Sequence, residues 1–379
     1  MRVNGLVINE DLSSGLLHSQ FIKPLAKLKE EGHSVKVIYI SKIGLTSEKE
    51  IEGIEVVRLP LAIPYRAFCY SPLAIVLIPL ISVFYALLLA PIISSRAICI
   101  SRGYFPSLIL SLLSVFRSNL EFIFDPRSLF VDESLVNGNL QHNSVAYRLW
   151  RRIEKFILKK CDKAICVSHQ QKKIYGEIYD TNMVVIPCYS EWMDKPFIVN
   201  KKMVTERHGI PNDKILIAYF GSIDTGWNNI EIYANFLKNN SHLDAHFVFI
   251  SQNFKALRVH KAFQAKNVSI IGEVEFSEKI DLLSCADFGL FLMAKNPDWE
   301  TRLGVKFADY TSLGLPVILS EFVGEAVYYL NKYGKNGSLI IKNSQRLAPL
   351  EKPSLTDREN LRVMAQKHFS YSNIIKILN

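Results

Sequence analysis

Short apolar runs alternate with longer stretches of helical periodicity along the whole chain. Residues 2–9 predict a first strand, 14–31 a helix and 34–40 a second strand, with Gly32 and His33 as the break between them. Apolar runs at 97–101, 120–124, 163–168 and 183–187 continue the series. The rhythm then lapses over 188–202, a segment with no clear periodicity that contains Pro196. A second series follows, with strands expected at 214–220, 246–251, 268–271, 288–293 and 317–320. Strands separated by helices predict βαβ units and a parallel sheet. Two such series predict an α/β protein of two Rossmann-like domains, over 1–190 and 205–355, joined by a linker at 191–204. A last helix is expected over 356–379.

A length of 379 residues fits this division, since two domains of roughly 150–200 residues each bury a sizeable core. Hydrophobic residues make up 49% and charged ones 21%, which excludes a disordered chain. The formal charge of +9 is uneven: residues 1–190 hold 22 Lys and Arg against 16 Asp and Glu, the remainder 23 against 20. That excess predicts an anionic partner, such as a nucleoside diphosphate, a lipid headgroup or nucleic acid. The six cysteines show no C-x-x-C pair and no zinc-like spacing, and the nine histidines form no metal-spaced cluster. The expectation is reduced core cysteine in a cytosolic setting and no metal. Met1 leads directly into the first strand, with no signal-peptide pattern ahead of it.

Two segments of the first half add a membrane to the picture. Residues 67–95 carry no charge over 29 positions, long enough to span a bilayer. The strands at 35–40 and 97–101 on either side belong by pattern to one sheet, and Pro72, Pro79 and Pro91 punctuate the run. Helices partly in the core and partly facing a membrane surface are therefore expected. Residues 147–163 form a basic amphipathic helix, with Arg148, Arg151, Arg152, Lys155, Lys159, Lys160 and Lys163 around Leu149, Trp150, Ile153, Phe156, Ile157 and Leu158. It reads either as a binder of anionic membrane or as a solvated surface helix.

The densest chemical signal is the stretch 301–318. Gly304 stands at an expected helix start, and Gly314-Leu315-Pro316 breaks the helix before the strand Val317-Ile318. A helix N-terminus with a glycine ahead of it offers free N–H groups and a positive dipole end to phosphate. This stretch resembles the nucleotide-sugar site of GT-B glycosyltransferases, especially family 4. Aligned on Gly314-Leu315-Pro316, the family's second acid falls on Asp309 and its first on Thr301, with Glu300 one residue away. Lys306 matches the lysine that a subgroup carries three residues before the second acid. The resemblance implies two Rossmann-like domains facing across a cleft, the final helix returning to the first, and a nucleotide-diphosphate sugar as co-substrate with no cofactor.

It also implies a division of labour. Gly221 and Ser222 resemble the family's second glycine loop, although Thr225-Gly226-Trp227 stands where Lys-Gly is usual. Phosphate charge then falls to Arg302 and Lys306, with Gly304 and Val305 cradling the diphosphate. Gly272 and Glu273 begin a segment resembling the base-holding loop. Asp309 is the candidate for the ribose hydroxyls, a carboxylate accepting two hydrogen bonds from a vicinal diol, and Glu300 for the donor sugar. In the first half, Ser13-Ser14-Gly15 reads either as a phosphate or acceptor loop or as a plain N-cap. Asp125 reads as a catalytic base or acceptor-hydroxyl group, or as an Asx-turn; Arg102, Tyr104 and Arg127 are placed on the acceptor side. The expected activity is transfer of a sugar, with retention, to a lipid-linked or cell-surface glycan. The expected enzyme is cytoplasmic and peripheral on the inner face of the plasma membrane. A DNA-modifying transferase and a non-catalytic nucleotide-sugar-binding relative are the alternatives, although no nucleic acid partner is expected.

Overall fold

The computed structural model describes the chain apart from residues 9, 11, 13, 42–48, 61–69, 72–75, 95, 194, 196–199, 224–228, 296–299 and 379. It divides into two compact units, Met1–Pro187 with Tyr371–Asn379, and Cys188–Ser370.

Among the described residues the first unit holds strands β1 (Arg2–Ile8), β2 (Ser34–Ser41), β3 (Glu50–Ile51), β4 (Ile54–Pro60), β5 (Ala97–Arg102), β6 (Glu121–Asp125), β7 (Lys163–Cys166) and β8 (Met183–Val185). They form one sheet in the order β3-β4-β2-β1-β5-β6-β7-β8. All neighbours are parallel except β3 and β4. The central strands are near-continuous apolar runs because helices cover both faces. The strand order reverses at β1, which pairs with β2 on one side and β5 on the other. The strands flanking the 67–95 segment therefore lie in one sheet, as their pattern predicts. Within that segment the described helix is Ile78–Leu89, 12 residues long. Among the described residues no helix is long and apolar enough to cross a membrane.

The helix expected over 14–31 exists with an irregularity. Gly15–Leu17 and Lys23–Glu30 are α-helical, and His18–Ile22 between them is a π turn, Lys23 N–H donating to His18 O. Pro24 has no N–H for the carbonyl four residues back, and the helix widens just ahead of it.

The second unit holds β9 (Ile215–Phe220), β10 (Ala245–Ile250), β11 (Val268–Ile271), β12 (Phe288–Phe291), β13 (Val317–Ser320) and β14 (Leu339–Ile341) in the order β11-β10-β9-β12-β13-β14. This is the 3-2-1-4-5-6 order of a Rossmann sheet, reversing at β9.

Two sequence expectations need correction. The segment read as a linker over 191–204 is part of the second unit's packing: Trp192 is buried, its ring 4.9 Å from that of Phe220, and helix Lys201–Arg207 begins within it. The C-terminal segment is not one returning helix. Helix Leu355–Phe369, opened by a Ser354–Asp357 capping box, buries Leu361, Met364 and Phe369 in the second unit, with Phe369 6.0 Å from Phe307. Ser370 is extended and ends the helix, and only the 3-10 turn Tyr371–Ile377 belongs to the first unit. There Lys163 Nζ donates to Ile377 O at 2.9 Å.

Candidate functional site

In the second unit the switch point at β9 is where ligand chemistry is expected, at the carboxyl ends of the strands. β9 ends in Phe220, and Gly221 follows with φ 113°, a left-handed conformation that glycine adopts freely. Helix Val305–Ser312 is pinned over this point by Tyr310. The Phe220 N–H donates to Tyr310 Oη at 3.2 Å, and the ring fills the space above Gly289, where a Cβ would lie 2.7 Å from it. Gly304 caps the helix with φ 79°, against the ring of Phe291. Val305 thus opens a helix whose first-turn amides face outward from its positive end.

Lys306 reaches from this first turn to the Gly221 loop. Its ammonium lies 5.3 Å from the Tyr219 ring centre and 5.9 Å from that of Phe220. Burial lowers its pKa to about 8 against the pull of Asp309. One turn on, Asp309 is buried, and its Oδ1 accepts the Ser190 hydroxyl at 2.8 Å. Burial raises this carboxyl to about 8, with Ser190, Lys306 and Lys279 opposing. Lys279 sits on helix Phe276–Cys285, 6.0 Å from the Phe220 ring.

Gly221, Lys306 and Asp309 are therefore brought together. Ser222 follows, its carbonyl accepting the Tyr219 hydroxyl at 2.7 Å. Arg302 is half-buried, and its carbonyl accepts the Glu325 N–H at 3.3 Å. Thr301 is buried and Glu300 exposed. Gly272 and Glu273 stand past β11 at the sheet edge, Glu273 accepting from Gln252 Nε2 at 2.9 Å. Residues 225–227 lie outside the described residues. Sequence reasoning missed Ser190, Lys279 and Tyr310. Ser190 falls in an aperiodic segment with no local signal, whereas Tyr310 stands within the motif itself, directly after Asp309.

The first unit presents a buried polar cluster at the carboxyl ends of β1, β5 and β6. Arg102 Nε donates to both carboxylate oxygens of Glu10, at 3.0 and 3.1 Å. Burial, then the neighbouring Arg127, lowers the Arg102 pKa. Asp125 Oδ2 lies 3.7 Å from Arg127 Nη1, and Arg127 Nη2 donates to Gln20 Oε1 at 3.1 Å. Arg102 is 6% exposed and Asp125 3%, yet among the described residues Arg102 Nη1 and Asp125 Oδ1 have no hydrogen-bond partner. Glu10 and Gln20 carried no sequence signal; Gln20 enters the cluster from the π turn. Ser14 is a plain N-cap, accepting from Leu17 N–H at 3.3 Å, and Gly15 is exposed with open space beside it. Ser13 lies outside the described residues.

Tyr104 corrects the expectation placed on it. Although it follows Gly103 at the end of β5, its ring packs on Phe124, Phe130 and Trp150. Its hydroxyl donates to the fully buried Glu154 at 2.6 Å. As the first residue of helix Tyr104–Phe116 it points into the core rather than toward the strand ends.

The basic helix spans Val145–Lys160, and Lys163 lies instead in β7. Of its exposed cations, Arg148, Arg152, Lys155 and Lys159 follow i, i+4, i+7, i+11 and form one stripe. Arg151 faces inward, bound to Glu154 at 2.9 Å and to Asp132. This helix packs on Tyr104–Phe116, which packs on Ile78–Leu89. The last of these carries an exposed apolar stripe of Leu80, Phe84 and Leu87, Leu80 being 68% exposed. Among the described residues no group of His, Cys, Asp and Glu is arranged to hold a metal.

No family model and no curated protein matches the chain. Solved structures do. A sucrose-phosphate synthase from Thermosynechococcus elongatus is similar with a TM-score of 0.69 and 13% identity, covering 100% of this chain and 97% of that one. A glycosyltransferase from Rickettsia africae reaches 0.68 and 17%, over 100% and 96%. HepE from Anabaena, in complex with UDP, reaches 0.66 and 11%, over 100% and 98%. At such identities what the chain shares with these glycosyltransferases is their fold, and that fold is GT-B.

Proposed function

We propose that this protein transfers a sugar from a nucleotide-diphosphate donor to a hydroxyl of a lipid-linked or cell-surface glycan. The observation that carries the reading is Lys306, held on the first turn of a glycine-capped helix with its ammonium against the Gly221 loop. That arrangement offers a diphosphate helix N–H donors and a cation at the switch point, where anions gain most. Gly304 and Val305 would cradle the phosphates with Lys306 and Arg302 supplying charge. Asp309 would take the ribose hydroxyls, Gly221 and Ser222 the other side of the diphosphate, Gly272 and Glu273 the base, and Glu300 the donor sugar. Asp125, Arg102 and Arg127 would serve the acceptor. The transferred group is a hexosyl or related unit, and the stereochemistry retention, the leaving phosphate helping to deprotonate the acceptor without a metal.

Support for a lipid-borne acceptor is the presence of an apolar stripe and a cationic one on two helices that both pack on Tyr104–Phe116. Apolar insertion plus attraction to anionic headgroups gives the two signals that peripheral binding generally requires. The protein would work from the cytoplasm, on the inner face of the plasma membrane, in polysaccharide biosynthesis.

Isothermal titration with UDP, other nucleoside diphosphates and their sugars tests the donor half. Lys306→Ala and Arg302→Ala should each weaken diphosphate binding by about 1.5–3 kcal/mol and leave nucleoside binding nearly unchanged. Equal losses for both ligands, or no nucleotide binding by the wild type, would refute it. Binding without transfer to any glycolipid acceptor would identify a non-catalytic relative, consistent with Thr301 at the position of the family's first acid.

A further inference from the structure

We propose that the buried cluster at the ends of β1, β5 and β6 recognises the hydroxyl of an uncharged sugar, which accepts from Arg102 Nη1 and donates to Asp125 Oδ1. The inference rests on the glycosyltransferase reading and names the class of acceptor it takes. Its basis is a mismatch within an otherwise tightly paired group. Among the described residues, Glu10 and Asp125 balance Arg102 and Arg127, so these four side chains carry no net formal charge. What the cluster lacks, among the described residues, is a partner for one donor and one acceptor, each on a side chain more than nine-tenths buried. Leaving such atoms unmatched is costly. A phosphate or carboxylate would satisfy Arg102 while meeting Asp125 with like charge, and an ammonium would do the reverse. A hydroxyl accepts and donates at once.

Two backbone irregularities converge on the same place. The π turn His18–Ile22 carries Gln20 into the cluster, and Arg127, which bonds Gln20, holds φ at +59°. Such departures are retained where the surrounding structure over-determines them, and they gather at binding sites. Arg102 and Asp125 are partners in the β5–β6 register and project to the same side of the sheet.

The test compares binding of neutral methyl glycosides with that of the corresponding sugar 6-phosphates and uronic acids, by saturation-transfer NMR, in the full-length protein. Wild type should bind at least one neutral glycoside, and bind it more tightly than its phosphorylated or acidic counterpart. Asp125→Asn removes one negative charge and should move the ratio toward the anionic sugar by about tenfold or more, the scale of one charged hydrogen bond. Glu10→Gln, at the exposed rim of the cluster, should move it the same way and is the variant to use if Asp125→Asn does not fold. Tighter wild-type binding of the phosphorylated sugars, an unchanged ratio in the variants, or no binding of any neutral glycoside would overturn the proposal. UDP binding measured on the same samples separates the two readings: intact UDP binding with a failed sugar test sinks only this inference, whereas loss of both sinks the glycosyltransferase reading.

Discussion

Lys306 occupies the space that a side chain on Gly221 would need: a Cβ there would lie 2.9 Å from Lys306 Cε and 3.0 Å from Nζ. The helix and the β9 loop are thus fitted to each other through an absent methyl group. Gly221→Ala should both displace the ammonium and strain a backbone at φ 113°. The expected result is a fall in nucleoside-diphosphate affinity of about tenfold or more, with a modest drop in melting temperature. Calorimetric titration beside a thermal melt checks it; unchanged affinity would mean that Lys306 does not reach the ligand from this position.

The same lysine sets a pH dependence. Its pKa near 8 in the free protein means that the ammonium is lost as pH rises through that value. A bound diphosphate holds the proton on, so binding takes up a proton above about pH 8 and affinity falls as pH rises. Titration in two buffers of different ionisation heat should reveal that uptake. Lys306→Met should bind weakly and with no such slope; a wild-type affinity flat from pH 7 to 10 would contradict the assignment.

Asp309 and Ser190 make a prediction about stability rather than affinity. With the carboxyl raised to about 8, the folded protein holds a proton through the interval from about pH 4 to 8 that the unfolded chain releases. This group's contribution to stability therefore declines as pH rises across that interval. Asp309→Asn removes the decline, so its melting temperature should improve relative to wild type between pH 5 and 8. A difference constant with pH would show that the carboxylate is ionised throughout. Ser190→Ala removes the hydroxyl that favours ionisation and should push the Asp309 pKa higher still.

Arg151 and Arg152 are adjacent in sequence and should behave differently. Arg151 pairs with the wholly buried Glu154, so Arg151→Glu would place two carboxylates together and should cost about 3–5 kcal/mol. Arg152 is exposed, and its reversal together with Arg148, Lys155 and Lys159 should leave the fold intact. That fourfold reversal should release the protein from anionic vesicles, as should high salt, which screens exposed charge within about 10 Å at 0.1 M. Vesicle sedimentation with a parallel melt checks both. Binding indifferent to the four charges and to salt would remove the support for a membrane surface.

The alternation of apolar runs was enough to read eleven of the fourteen described strands, because a strand buried on two faces announces itself locally; the half-exposed β4 and the short edge strands β3 and β14 gave no such run. The glycine-capped helix and the positions of Lys306 and Asp309 were legible for a similar reason: a motif of 18 consecutive residues carries its own geometry. What escaped depends on distant pairings. Glu10, Gln20 and Arg102 meet only once β1 and β5 lie side by side, and Ser190 reaches Asp309 across 119 residues. Tyr104 was misplaced because strand-end position says where a backbone stops, not which way the next side chain turns. The inward turn of Arg151 was likewise hidden, since composition counts a cation without saying whether an acid waits behind it.

The short turn Tyr371–Ile377 has a consequence for how the protein is made. It belongs to the first unit, where Ile377 receives Lys163, while 183 residues of the second unit, Cys188–Ser370, are translated before it. During synthesis the first unit must wait, with that part of its surface uncovered, until the whole of the second has left the ribosome. A fragment ending at residue 187 keeps all eight described strands of its sheet and still lacks its closing piece. Supplying 371–379 as a separate peptide, or tethering it directly after residue 187, should therefore raise the fragment's melting temperature.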